Sequence, residues 1–294
     1  MDIRALTCFI AVAEELHFRR AAQRLHMTQP SLSQRISALE REVGVDLFVR
    51  NRRGVGLTAS GLAFLEPARR AVESAGIARE YALRAARGEV GRLRLGFTVI
   101  AFYGRLPEAV QAFRRRYPDV DIDLSEMNSP SLETALATGA VDLAILHPPL
   151  AHPDLVVRSL PEEPLVLALP SSHALAPLRD IPVAALAGEP MLMAPRHVGP
   201  NFHDRMIAYF RSSDVTPRIV QEVTPMTTLS GLVAAGVGIG FVTQGMSRLP
   251  RPGVSYRTVT PAPPSLPMAA AWLAPELAVV GRNFLDEVVA LNPS

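Results

Sequence analysis

The sequence predicts a multidomain α+β chain: a small N-terminal helical unit ending in a β-hairpin, a long linking helix, and a larger α/β part. Three observations carry this expectation. Apolar residues recur at helical spacing through the first forty positions, the same spacing returns from residue 59 to about 87, and from residue 93 short apolar runs alternate with helical stretches. At 294 residues and 48% hydrophobic content the chain also exceeds what one core holds, since cores divide above about 250 residues.

Leu6, Phe9, Ile10 and Ala13 define the inward face of a first helix, and Phe18, Ala21, Ala22 and Leu25 that of a short second one. The turn "HMT" follows, in which Thr28 can accept from the free amides of a third helix and Pro30 sits in a first turn that needs no donor there. Leu32, Ile36 and Leu39 face that third helix inward, so the pair across the three-residue turn forms a helix-turn-helix. "LFVRNRRGVGLT" (47–58) predicts two short strands around residues 51–54, a wing carrying Arg50, Arg52 and Arg53. Thr58 caps a helix expected to stop at Gly88, with Leu65, Ala68, Val72, Ala75 and Ala82 as a small-residue seam for pairing with a second chain, and Pro67 as a bend.

Beyond it, strands are expected at 93–97, 120–126, 141–146, 164–170, 190–194, 238–243 and 268–273, with helices at 106–117, 201–211, 226–235 and 275–291. This alternation predicts mainly parallel sheets with helices on both faces, divided into two lobes joined through the proline-rich stretch 259–267. The expected boundaries are residues 1–58 for the winged unit, 59–88 for a dimerising linker helix and 89–294 for the rest. Lobe I takes about 92–162 and 267–294, and lobe II about 163–266.

All thirty basic residues are arginine, so chemistry that needs a lysine, such as a Schiff base or a GK[ST] phosphate loop, is excluded. Fifteen arginines face ten acids in residues 1–92 and fifteen face eighteen in the remainder, which places contact with a polyanion at the N-terminus. One cysteine, Cys8, a charged start without a cleavage site, and apolar runs too short to span a bilayer predict a cytoplasmic chain with no membrane segment. Neither a metal-spaced His/Cys cluster nor a catalytic elbow or nucleotide loop is present, and "GVGIG" follows a helix, which argues against an enzyme and for no cofactor. A solute-binding protein would account for residues 93–294 but leaves the first 92 unexplained.

The stretch "FRRAAQRLHMTQPSLSQRISALEREVGVDLFVRNRRGVGLTASG", with "AA..L", "QPSLS..I..LE", "G..LF.R" and "LTASG" in order, resembles LysR-type transcriptional regulators, and "GAVDLAIL" and "LVAAGVGIGFV" extend the resemblance over essentially the whole chain. It implies a winged helix-turn-helix, a dimerising helix and a two-lobed effector-binding domain like periplasmic binding proteins, assembled as dimer and tetramer on double-stranded promoter DNA, with RNA polymerase as a further partner. "GFTVIAFYGRLPEAVQAFRRRYPDVDIDLSEMNS" and "GPNFHD" are similar to the branch that controls aromatic-compound degradation, which implies a small organic acid as effector.

Gln29, Ser31, Ser33 and Gln34 lie away from the apolar face of the third helix near its N-terminus, where base edges are within reach in a major groove. The resemblance adds Pro30 to these base contacts. Relatives commonly carry arginine at the position of Gln34, and here an arginine follows one residue later, at Arg35. Thr28, Arg35, Arg50, Arg52 and Arg53 are the candidate phosphate contacts. For the effector, a site between the lobes would draw on Thr98, Val99, Ile100, Ser129, His147, Pro200, Asn201, Phe202 and Thr243. His147 stands where such regulators commonly have arginine and Ile100 where they have a hydroxyl, so a bulkier or less charged aromatic acid fits as well as a dianion. A neutral His147 would donate one hydrogen bond to a carboxylate, or be an ordinary surface histidine. Phe202 fits a ligand wall or a core equally.

Overall fold

The structure, a computed structural model, describes residues 1–51 and 54–291 and resolves into two compact units, Met1–Ala86 and Arg87–Ser294.

In the first unit, α1 (Ile3–Glu15), α2 (Phe18–Arg24) and α3 (Gln29–Val43) precede the hairpin of β1 (Phe48–Asn51) and β2 (Gly54–Leu57), and α4 (Ala59–Ala86) closes it. Asp2 caps α1 by accepting the Ala5 N–H at 2.6 Å, and Thr28 caps α3 by accepting the Ser31 N–H at 3.4 Å. Phe9, Leu32, Ile36 and Leu39 are buried together, and the Phe9 ring meets Phe48 of β1 at 5.3 Å and Phe64 of α4 at 5.1 Å, so one side chain joins three elements. The α4 helix runs unbroken through Pro67. Its expected seam divides: Leu65, Ala68 and Val72 pack on this N-terminal core, Ala75 is half-buried, and Ala82 further along is exposed, as are Ile77, Tyr81 and Leu83 outside the seam.

The second unit holds two sheets. The first, in order β4 (Asp119–Glu126), β3 (Val90–Phe97), β5 (Leu143–Leu146), β13 (Leu266–Leu273) and β6 (Leu155–Glu163), is covered on one face by α6 (Leu106–Arg116) and α10 (Val279–Ala290), whose Phe113 and Phe284 meet edge to face. On its other face lies α7 (Ser129–Ala137), which buries Leu132 and Leu136 against Ala144 and Ala269. The second sheet, in order β10 (Arg218–Glu222), β9 (Pro190–Met193), β11 (Ile239–Thr243), β7 (Leu165–Pro170), β12 (Val254–Thr260) and β8 (Asp180–Pro182), lies between α8 (Pro200–Ser212) and α9 (Met226–Ala234). The chain passes from the first sheet to the second at Pro164 and returns between Thr260 and Leu266.

The expectation of mainly parallel sheets holds only narrowly, since both sheets are mixed and five of their nine pairings among the described residues are parallel, β9 with β10 and β11 and β8 with β12 included. β3 pairs in parallel with β4 and β5, but β13 runs antiparallel to β5 and β6, and β7 antiparallel to β11 and β12. A chain that leaves one lobe and returns must send its last strand back into a sheet built from earlier ones, and here β13 enters between β5 and β6 against their direction. β6, β8, β10 and β12 were not expected from the sequence: β10 is exposed along its whole length, and β6 lies at a sheet edge, so neither carries the buried alternation that marks a strand. No helix among the described residues is long and apolar enough to cross a membrane.

Candidate functional site

Two places gather the residues singled out in the sequence. On the first unit, Gln29, Pro30, Ser31 and Gln34 are exposed and Ser33 half-buried, on the face of α3 opposite Leu32, Ile36 and Leu39. Arg35 leans the other way, its guanidinium 3.9 Å from the Asp2 carboxylate. Arg50 stands exposed on the wing, with its guanidinium 4.3 Å above the Phe18 ring of α2. Arg52 and Arg53 lie outside the described residues. Two further groups set the angle between helix and wing. The Glu40 carboxylate accepts the Leu47 and Phe48 N–H groups at 2.9 and 3.0 Å, and Gly61 brings α4 so close to β1 that a Cβ there would lie 2.1 Å from the Leu47 carbonyl oxygen. Glu40 was overlooked because an exposed-looking helix carboxylate carries no sequence signal for the amides it caps.

In the second unit, His147 is held on three sides at the end of β5. Its Nδ1 faces the Pro267 carbonyl at 2.9 Å, its Nε2 the Thr98 hydroxyl at 3.1 Å, and its backbone N–H donates to Ser129 Oγ at 3.2 Å. A carbonyl only accepts, so Nδ1 carries the proton and Nε2 accepts from Thr98. Both ring nitrogens are therefore engaged within lobe I, and burial pulls the half-buried imidazole below its ordinary pKa while the Pro267 carbonyl opposes this. Val99 and Ile100, both half-buried, begin the short helix α5 (Val99–Tyr103) directly after Thr98.

Pro267, together with Pro148 and Pro149, forms one side of an opening of about 570 Å³ whose other side is Asn201, Asp204, Arg205 and Ala208 of α8 in lobe II. Asn201 and Pro200 are exposed at the start of α8. Phe202 instead packs on the lobe II core, and Thr243 is fully buried with its hydroxyl 4.0 Å from the Met226 sulfur, so neither borders this opening. The polar side chains that the sequence reading missed are Asp204 and Arg205. Arg196 grips Asp204 through two bonds of 2.8 and 2.7 Å and holds its carboxyl down at about 2, whereas Arg205 has no ion pair among the described residues. Asp204 lay within "GPNFHD", and helical spacing from Asn201 would have placed it on the same face. Among the described residues no group of His, Cys, Asp or Glu side chains is arranged to hold a metal ion.

Residues 3–62 match the family model described as bacterial regulatory helix-turn-helix protein, lysR family, and residues 86–291 match the LysR substrate binding domain. The chain belongs to the LysR family of transcriptional regulators. It is a DNA-binding regulator with an effector-binding domain and not an enzyme. Among LysR-family proteins it is 43% identical over 257 residues to the HTH-type transcriptional regulator AlsR of Bacillus subtilis (strain 168), across 87% of this chain and 85% of AlsR. The crystal structure of the LysR family transcriptional regulator CbnR is similar throughout, with a TM-score of 0.90 at 29% identity over 98% of this chain and 100% of CbnR. Full-length CbnR complexed with its target DNA matches with a TM-score of 0.84 at 29% identity over 98% of each chain. The winged helix-turn-helix and two-lobed architecture expected of a LysR regulator is thus present in the elements described above.

Proposed function

We propose that this LysR regulator binds promoter DNA through Gln29, Pro30, Ser31, Ser33 and Gln34 at base edges and through Thr28, Arg50, Arg52 and Arg53 at phosphates, and responds to a small organic acid, an aromatic-degradation metabolite, held between the lobes. The observation that carries the effector half is the opening between Pro148, Pro149 and Pro267 on lobe I and Asn201 and Arg205 on lobe II, because a ligand there touches both lobes at once. Arg205 would meet the carboxylate and Asn201 would orient it, while Thr98, Ser129 and His147 fix the lobe I wall rather than contact the ligand. Arg35 is reassigned from phosphate contact to the Asp2 pairing that seats α3 on α1. Dimers form through residues 59–88, where Ile77, Tyr81 and Leu83 are exposed, and pair into a tetramer that engages promoter and RNA polymerase in the cytoplasm. The CbnR–DNA complex supports the DNA half, since α3 and the wing here occupy a chain alike over its full length.

Footprinting of the DNA upstream of the gene, with and without a panel of aromatic and dicarboxylic acids, tests the reading. A footprint that shifts with an aromatic acid in the wild type but not in Arg205→Met is expected. A footprint unmoved by every acid, or moved equally in Arg205→Met, removes the inter-lobe assignment.

A further inference from the structure

Lobe II carries a second opening that shares no residue with the one between the lobes. Its walls are the face of α9 that carries Thr227, Ser230 and Ala234, the 3-10 turn Gln244–Arg248 and the loop 249–252 leading into β12, and it is a partly open hollow of about 520 Å³, within the roughly 300–1,000 Å³ of small-molecule sites. Ala234, Met246 and Leu249 supply an apolar lining, and Arg251, Ser230, Tyr256 and Thr227 supply polar groups.

Three of those polar groups, Ser230, Tyr256 and Arg251, have donors with no acceptor among the described residues. Ser230 is 2% exposed, and neither its hydroxyl nor that of Tyr256 has a hydrogen-bond partner among the described residues. A buried hydroxyl left unpaired is a cost that folded chains rarely retain without a use. Arg251 extends over α9 at Gly231, where a Cβ would lie 3.3 Å from its Nη2, and it makes no ion pair among the described residues. A guanidinium and two hydroxyls around an apolar hollow lack one thing: a group that only accepts and carries negative charge. We propose that lobe II holds a second small-molecule site, for a monocarboxylate with a compact apolar body, anchored by Arg251 with Ser230 and Tyr256.

The site adjoins the contact between the lobes. Thr227 on its wall lies beside the Tyr103 side chain of α5 in lobe I, and Gly245, next to Met246, lies so close to lobe I that a Cβ there would be 2.2 Å from the Tyr103 carbonyl oxygen. A ligand seated against Thr227 and Met246 therefore bears on the surface where α5 rests, and binding there biases how the lobes sit.

Benzoate serves as the probe in calorimetric titration of the full-length protein, with 4-azidobenzoate photolabelling to locate it. A saturable benzoate site is expected that persists in Arg205→Met, is weakened at least about tenfold by Arg251→Met through loss of the charge-assisted bonds, and is filled by Ala234→Phe. The label should fall within residues 226–256. Because Arg251 is exposed, Arg251→Met tests the site even if Ala234→Phe fails to fold. The proposal is overturned if Arg251→Met titrates as wild type, if the label falls only at residues 147–149 and 200–208, or if the wild-type protein takes up no benzoate.

Discussion

His147→Asn should remove a specific piece of the pH dependence of stability. In the folded chain the imidazole is neutral, fixed by Pro267 and Thr98, and burial disfavours its charged form, so its folded pKa lies below the ordinary value of 6.5. The unfolded chain takes up this proton as pH falls below about 6.5, whereas the folded chain does not until the lower folded pKa is reached. Stability is therefore full above about pH 6.5 and declines below it, by up to about 1.4 kcal/mol per pH unit, until the folded pKa is passed. Asparagine can still donate to the Pro267 carbonyl but does not titrate, and the other six histidines are common to both proteins and cancel in the comparison. Trp272, the single tryptophan, packs on the lobe I core and reports unfolding of the lobe that contains His147. Urea titrations followed by its fluorescence at steps from pH 7.5 to 5.5 should show the wild type losing ground to His147→Asn as pH falls. A difference between the two proteins that stays constant across that range would mean that the imidazole titrates alike folded and unfolded, and would refute the burial argument.

Gly61→Ala places a methyl 2.1 Å from the Leu47 carbonyl oxygen, and a backbone atom cannot rotate aside; overpacking of about 1–3 kcal/mol should outweigh the ~1 kcal/mol that alanine adds to a helix, and thermal unfolding with a raised midpoint would disprove it. Glu40→Ala leaves the amides of Leu47 and Phe48 without their acceptor and should cost roughly 2–4 kcal/mol in chemical denaturation, with Glu40→Gln milder because its carbonyl still accepts. Arg50→Ala should weaken binding to all DNA sequences alike and lower the slope of log K against log salt by about 0.9, whereas altered sequence preference at an unchanged slope would remove its phosphate role.

The N-terminal unit was the most legible part of the sequence because its signals are local. Capping by Thr28 and Thr58 and the buried faces of Phe9, Leu32, Ile36 and Leu39 each depend on residues within one or two turns, and each is found. The α4 seam was harder to read, since a periodicity of 3.6 says that a face is covered and not by what: Leu65, Ala68 and Val72 are covered by their own unit. The mixed sheets were illegible for a similar reason. "MAAAWL" reads as a strand whichever way it runs, and only its return from lobe II after Thr260 sets it antiparallel to β5.

The inter-lobe site separates what residue type reveals from what partners decide. A histidine after a buried strand suggested a ligand donor, yet the group that fixes its proton, the Pro267 carbonyl, lies 120 positions along the chain and belongs to backbone, which carries no side-chain signature. Once that bond is counted, the neutral imidazole has no proton left to offer, and the basic side chain across the opening is Arg205, one residue past the quoted "GPNFHD". The same bond ties the end of β5 to the first residues of β13, the strand by which the chain re-enters lobe I. His147 is thus a fastening beside the crossover, and if the opening holds the effector as proposed, replacing His147 should act on the response through the placement of Pro267 in the opening's wall rather than through a lost contact.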